Sequence, residues 1–144
     1  MIKSIRHTGL VVSNLTESIR FWTEVMDFKI IQELQESGKH LDKMIGLDNT
    51  NVRTVKLSAK DESKLELLCF KSHKDELKRQ VFPYTSGFTH IALTVENIEK
   101  QIDRIKSYGI AFSTTPQKSI DGKVKVAYVK GPEKILLELV EEIK

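Results

Sequence analysis

The chain has 144 residues, enough for one compact domain or for two small modules that share a core. Hydrophobic residues make up 40% and charged residues 30%, and the net charge of +3 is spread along the chain, which excludes nucleic acid as the main partner. No apolar run approaches the roughly 20 residues of a membrane span, and the single cysteine, Cys69, excludes an internal disulfide and a thiolate metal cluster.

The first half of the chain predicts a strand, a helix and three more strands. Residues 1–12 contain no apolar signal-peptide core, so we expect a cytoplasmic protein, and they lead directly into an alternating strand pattern. An amphipathic helix follows, because apolar side chains recur with a period near 3.6 residues. These side chains are Leu15, Ile19, Trp22 and Met26. The strands after it are predicted at Phe28–Leu34, Val52–Ala59 and Leu65–Phe70.

The second half repeats this order at an offset of 83 residues for the first strand and helix. His7 corresponds to His90, and Asn14 before the first helix corresponds to Asn97 before the second. The second helix carries Ile98, Ile102, Ile105 and Tyr108 on one face and ends at Gly109, a predicted left-handed C-cap. Its later strands are predicted at Ala111–Thr115, Val124–Lys130 and Ile135–Val140. The sequence therefore predicts two βαβββ modules, 1–71 and 88–144, joined by a linker at 72–87.

Four ionisable residues are predicted to share the strand faces that point away from the helices. Alternation along each strand places His7, Glu66, His90 and Glu138 opposite the bulky aliphatic side chains. A glutamate within Leu-Glu-Leu is costly to bury without a partner, and this arrangement occurs once in each module. If a pseudo-twofold axis relates the modules, the four groups converge on one divalent cation. Nitrogen and oxygen donors without thiolate indicate Zn, Mn, Fe, Co or Ni.

Four further residues are candidates for substrate binding. Thr54 and Lys56 lie on the same strand face as Glu66 if Val55 and Leu57 cover the helix, and Lys56 then either binds an anionic substrate or extends to solvent. His40 lies in the long insertion after the second strand, which is either a lid or, as we favour, an exposed helical turn. Tyr128 either lines the site or packs in the core.

The sequence resembles the vicinal-oxygen-chelate superfamily, which includes glyoxalase I, methylmalonyl-CoA epimerase, extradiol dioxygenases and the fosfomycin- and bleomycin-resistance proteins. The resemblance rests on the His-Glu-His-Glu set and on three segments that are similar to family signatures, 7–12, 21–29 and 131–139. It covers nearly the whole chain. It implies an α+β fold in which two βαβββ modules form one domain over 1–144, a cupped, half-open mixed β-barrel with its helices outside.

The resemblance also implies a function. The four residues would bind one divalent metal, and a metal-dependent lyase or isomerase, similar to lactoylglutathione lyase, would stabilise an enolate or enediolate of a small carbonyl substrate. Glu138 or Glu66 would move the proton, and we favour Glu138. Val11 and Phe70 stand where glyoxalase I usually has an arginine and an asparagine, which argues against glutathione. The alternatives are a ligand-sequestering protein of the bleomycin-resistance type and an extradiol-type dioxygenase, and a homodimer is expected by analogy.

Overall fold

The computed structural model describes residues 1–75, 81–112 and 114–143. The chain divides into two compact units, residues 1–78 and 79–144, and this boundary falls inside the linker predicted at 72–87. Each unit contains one four-stranded mixed sheet that does not close on itself. No helix in the described ranges has both the length and the apolar character needed to cross a membrane.

The first unit, here called module one, has the predicted βαβββ order with a helical insertion. Its elements are β1 (Thr8–Val11), α1 (Leu15–Arg20) continued by a π-helical turn (Phe21–Val25), β2 (Lys29–Ser37), α2 (Lys39–Ile45), β3 (Asn51–Ser58) and β4 (Lys64–Phe70). The sheet order is β1-β4-β3-β2, in which β1 and β4 are parallel and the other pairs antiparallel. Asn14 caps α1, because its side-chain oxygen accepts a hydrogen bond from the Glu17 amide.

The second unit, module two, repeats this topology with a shorter second strand. Its elements are β5 (His90–Thr94), α3 (Ile98–Ser107), β6 (Gln117–Lys118), β7 (Val124–Lys130), a 3-10 turn (Pro132–Lys134) and β8 (Leu136–Glu142). The sheet order β5-β8-β7-β6 matches that of module one strand for strand. Asn97 caps α3 through the Lys100 amide, as Asn14 caps α1. The predicted α+β fold with two βαβββ modules is therefore confirmed.

One predicted strand is misplaced. Residues 111, 112, 114 and 115 are not in a strand, Ser113 lies outside the described residues, and the second strand of module two is Gln117–Lys118. Its pairing with β7 joins only Gln117 to Val126 and Lys118 to Lys125. Pro116 explains the position, because a proline has no N–H to donate to a strand ladder. Gly109, by contrast, adopts the predicted left-handed conformation after α3, with φ of 89°.

Each sheet is buried on the face that carries its helix. Trp22 and Phe21 of module one are almost completely buried and pack edge-to-face with ring centroids 5.5 Å apart. The remaining apolar core of module one comprises Leu10, Val12, Leu15, Val25, Leu41, Val52, Val55, Leu57, Leu65 and Leu67. The core of module two comprises Ile98, Ile102, Ile105, Ala127, Val129, Leu136, Leu137 and Leu139. Alternation places Val52 and Leu136 on the same strand faces as Lys56 and Glu138, so those faces carry both buried apolar and polar side chains.

Candidate metal centre

In module one, His7 and Glu66 form a pair across the parallel strands β1 and β4. The register places Thr8 beside Leu65 and Gly9 beside Glu66, so that His7, just before β1, reaches the Glu66 side chain. The imidazole Nε2 lies 3.1 Å from the carboxylate Oε2. The His7 side chain is 34% exposed and the Glu66 side chain 14% exposed, so both groups are reachable from solvent yet partly desolvated.

Lys56 contacts the other oxygen of Glu66. Strands β3 and β4 are antiparallel, and Lys56 lies directly opposite Glu66 in the register. The ammonium Nζ is 3.6 Å from Oε1. Each carboxylate oxygen of Glu66 therefore has its own partner, an imidazole on one side and a cation on the other.

In module two, His90 and Glu138 form the equivalent pair. Their Nε2 and Oε2 atoms are 3.1 Å apart, and the side chains are 35% and 19% exposed, close to the values in module one. The Thr89 hydroxyl lies 2.9 Å from His90 Nδ1, a contact that orients the ring and leaves Nε2 facing the carboxylate. Both modules thus present one imidazole nitrogen and one carboxylate oxygen in the same geometry.

Tyr128 takes the place that Lys56 has in module one. It lies opposite Glu138 in the β7–β8 register, and its ring meets His90 edge-to-face with centroids 5.5 Å apart. Burial raises the pKa of the phenol above its ordinary value, and the negative charge of the nearby Glu138 raises it further. The phenol is therefore neutral at physiological pH, and Glu138 lies beside a neutral group where Glu66 lies beside a cation.

The donor chemistry of both pairs fits a divalent metal ion. Neutral imidazole and carboxylate are the ligands that Zn, Mn, Fe, Co and Ni accept, and each pair already brings one nitrogen and one oxygen together. Within the described ranges, no group of three or more His, Cys, Asp or Glu side chains is arranged to hold a metal. Each unit contains one His–Glu pair from the four predicted ligands.

The other predicted site residues occupy different environments. Thr54 is only 5% exposed, and its hydroxyl donates a hydrogen bond to Glu36 Oε2 at 3.1 Å. His40 lies on α2 and is exposed, in agreement with the helical turn favoured from the sequence. Cys69 is partly buried, and its Sγ lies 4.0 Å from the Ser13 carbonyl oxygen.

Sequence reasoning missed a basic pocket in module one. A cavity of about 220 Å³ is lined by Arg6, His7, Ile31, Gln32, Lys56 and Lys64. Lys64 precedes Glu66 by two residues in β4, so strand alternation alone places it on the same face, and Arg6 adjoins His7. A β-bulge between Ile30 and Gln32, which adds Ile31 to the pocket lining, was not predictable because the sequence of β2 has the pattern of a regular strand.

Comparison with known proteins identifies a family model and relatives that match most of this chain. The family model for the Glyoxalase/Bleomycin resistance protein/Dioxygenase superfamily matches residues 4–139. Lactoylglutathione lyase of Schizosaccharomyces pombe is 30% identical over 145 residues, which cover 96% of this chain and 47% of that enzyme. The chain therefore spans about half the length of this relative.

Solved structures show the same fold. A glyoxalase family protein from Bacillus cereus superposes with a TM-score of 0.87 at 22% identity, over 100% of this chain and 97% of that one. The fosfomycin resistance protein FosX from Listeria monocytogenes, solved with Mn(II) and a sulfate ion, superposes with a TM-score of 0.64 at 14% identity, over 99% and 95% of the two chains.

Proposed function

The chain belongs to the Glyoxalase/Bleomycin resistance protein/Dioxygenase superfamily, and from this premise we propose that it is a metal-dependent lyase or isomerase acting on a small carbonyl compound. The observation that carries the proposal is the duplicated His–Glu pair, with the same 3.1 Å separation and similar partial exposure in both modules. The same pair arises independently on the parallel strands β1 and β4 and on the parallel strands β5 and β8. An incidental ion pair on the surface would have no reason to occur at the equivalent place in both modules. The lyase named among the relatives and the Mn(II) held by FosX support the same chemistry.

One divalent metal would be held by His7, Glu66, His90 and Glu138. The metal is Zn, Ni, Co, Mn or Fe, and when bound it supplies a Lewis acid that polarises a carbonyl oxygen and one neighbouring oxygen of the substrate. A single four-ligand site requires the two pairs to meet, either between the modules of one chain or between modules of two chains. A homodimer is proposed by analogy with the family, and it is compatible with either arrangement.

Glu138 is the proposed proton acceptor. Lys56 lies 3.6 Å from Glu66 and balances its negative charge, which suits a carboxylate that remains a ligand. Glu138 has no cation among its contacts in the described part of the chain, since its neighbours are His90 and the phenol of Tyr128. Its carboxylate is thus the better group to take a proton from the carbon next to the carbonyl. Tyr128 packs against His90 and helps to keep water away from this carboxylate.

The substrate is proposed to be smaller than a glutathione conjugate. Val11 is apolar and 61% exposed on β1, so this position offers no cation to a glutathione carboxylate. Phe70, at the end of β4, offers no side-chain hydrogen bond. A short 2-hydroxy or 2-oxo carbonyl compound fits the bidentate chemistry without these contacts.

A second candidate is a metal-free ligand-binding protein of the bleomycin-resistance type. The pocket lined by Arg6, Lys56 and Lys64 favours it, because three cationic side chains around one cavity suit the direct binding of an anionic ligand. In that case the His–Glu pairs serve only as partly buried ion pairs between strands.

Metal-dependent deuterium exchange distinguishes the two candidates. The chain is purified without affinity metal, reloaded with Zn, Ni, Co, Mn or Fe, and incubated in D₂O with hydroxyacetone or pyruvate while proton NMR follows the carbon next to the carbonyl. The enzyme proposal expects exchange that requires the metal and is lost in Glu138→Gln. Glu142→Gln, which removes the same charge from the exposed end of β8, serves as the matched control. Failure to take up any of these metals, or exchange that persists after chelation, contradicts the proposal.

A further inference from the structure

The two modules differ in the charge of the sheet face around their His–Glu pairs. The structural equivalence of the strands aligns Arg6 with Thr89, Lys56 with Tyr128 and Lys64 with Leu136. Three cationic side chains in module one thus correspond to a hydroxyl, a phenol and a buried leucine in module two. Since the fold is the same in both modules, the fold itself does not demand the cations.

The three cations converge on one small pocket. Arg6, Lys56 and Lys64 line the cavity of about 220 Å³ together with His7, and its described lining contains no acidic residue. Glu66 contacts two of the lining residues, His7 and Lys56, and partly offsets their charge. Among the described residues neither Arg6 nor Lys64 forms an ion pair, so no acidic side chain in that part of the chain pairs with these two positive charges.

A β-bulge shapes the opposite wall of the pocket. The β2–β3 register shifts between Ile30 and Gln32, so that Ile31 is an extra residue and Gln32 lies directly opposite Lys56. Ile31 remains 51% exposed and gives the pocket an apolar wall, while the Gln32 amide adds a hydrogen-bond donor. A regular strand would not place both side chains at this point.

We propose that Arg6, Lys56 and Lys64 form a subsite for a small oxyanion, the carboxylate or phosphoryl group of a substrate or ligand. Like charges held around one cavity repel each other, and an oxyanion there relieves this repulsion and accepts charge-assisted hydrogen bonds from the cationic side chains. The volume suits a single phosphate or a short carboxylate, whereas a nucleotide or a coenzyme tail is too large for it. The assignment of this anion to a substrate rests on the proposed function, but the subsite itself does not.

Anion titration of the metal-free chain tests the subsite. The whole 144-residue chain, treated with chelator, is titrated at constant ionic strength with inorganic phosphate and, separately, with acetate, while amide NMR shifts are recorded. We expect saturable shifts at residues 6–8, 31–32, 56 and 64. Arg6→Gln and Lys64→Gln should each weaken binding by roughly tenfold, as expected for loss of a charge-assisted hydrogen bond. Tighter binding of phosphate than of acetate assigns a phosphoryl group, and the reverse order assigns a carboxylate.

The control is Lys71→Gln, which removes the same charge from an exposed position of module one outside the pocket lining. It should leave both affinities unchanged, and the spectra of all three variants report whether they are folded. The subsite is overturned if neither anion causes a saturable shift. It is also overturned if the Arg6→Gln, Lys64→Gln double variant binds the anions with the same affinity as the native chain. Metal-dependent exchange without anion binding would refute the subsite alone, and anion binding without metal uptake would refute the enzyme proposal alone.

Discussion

Modules one and two share a topology and a His–Glu pair but differ in what surrounds that pair. Glu66 lies between an imidazole and Lys56, whereas Glu138 lies between an imidazole and the neutral Tyr128. The strand register that produces the pair is the same, because each glutamate lies in the last strand beside a parallel first strand. The comparison shows that the repeated fold determines where the His and Glu side chains lie. The residue opposite each glutamate, Lys56 or Tyr128, then determines whether that glutamate lies beside a cation or a neutral group.

The modules also differ in length at one place. The sequence offset between them is 83 residues up to the helix and 72 from the third strand onward, so module two is 11 residues shorter in between. The offset of 83 persists through the second strand, because Gln117 and Lys118 pair with β7 as Leu34 and Gln35 pair with β3. The added length therefore lies after Gln35, and it forms the end of β2 and the helix α2.

The largest expected effect comes from exchanging the two carboxylates for amides. Glu138→Gln should lower the rate of metal-dependent deuterium exchange by about 10²- to 10⁴-fold, the range expected for loss of a general base. Glu66→Gln, compared at saturating metal, should lower it by roughly tenfold or less, because an amide oxygen still binds the metal. An equal loss of exchange rate in the two variants would contradict the proposal that Glu138 is the base and Glu66 only a metal ligand.

Equivalent core leucines should have equal effects on stability. Leu67 and Leu139 occupy corresponding positions in β4 and β8, and both are completely buried. Replacing either with alanine should lower the free energy of unfolding by about 2–5 kcal/mol, from lost transfer energy and the cavity left behind. Chemical denaturation monitored by circular dichroism measures both, and a cost confined to one variant would show that the modules are stabilised differently.

The two helix caps offer a smaller matched comparison. Asn14 accepts a hydrogen bond from the Glu17 amide at 3.1 Å, and Asn97 accepts one from the Lys100 amide at 2.8 Å. Substitution by alanine should cost about 1 kcal/mol at each position. Glycine variants, which avoid most of this penalty, are the controls, and thermal unfolding provides the measurement. An alanine variant as stable as the native chain would indicate that the cap is satisfied by water.

The smallest expected effect is a pH dependence confined to the insertion of module one. Asp42 in α2 accepts hydrogen bonds from the Thr50 amide at 2.7 Å and the Asn49 amide at 3.1 Å, and the Thr50 bond is the main cause of its lowered pKa. A carboxyl with a lowered folded pKa stabilises the fold above its ordinary pKa near 3.9 and loses this contribution as pH falls through the lower value. Amide-exchange protection factors in α2, which remove the intrinsic pH dependence of exchange, should therefore fall below about pH 4 in the native chain, and Asp42→Asn should abolish this fall.

Most of the fold was predictable because the sequence contains the same pattern of strands and helix in both modules. The alternation of apolar residues in β4 and β8 and the helical period of α1 and α3 are strong local patterns. Each pattern in one module supports the assignment of its counterpart in the other. The strand at Ala111–Thr115 was wrong because β propensity there competes with Pro116, and pairing with β7 decides the outcome. Long-range pairing of this kind leaves little trace in a local window.

The candidate site was predictable in part. Alternation sufficed to place His7 with Glu66 and His90 with Glu138, and the structure joins each of these pairs. It also placed Lys56 on the Glu66 face, but no feature of the sequence distinguishes the two glutamates as the base. That distinction depends on which residue of β3 or β7 faces each carboxylate across the ladder, a matter of register that alternation alone does not fix.

The most direct test of a metal shared by both pairs is the metal content of variants that lack one pair. Elemental analysis compares the native chain with the variants His7→Ala, Glu66→Gln and His90→Ala, Glu138→Gln after equilibration with one metal and removal of the free ion. A shared site predicts near one metal per native chain and near none in either double variant. Retention of the metal in either double variant would contradict a site built from both modules. Two metals per native chain that fall to one in each double variant would indicate that each pair binds its own metal.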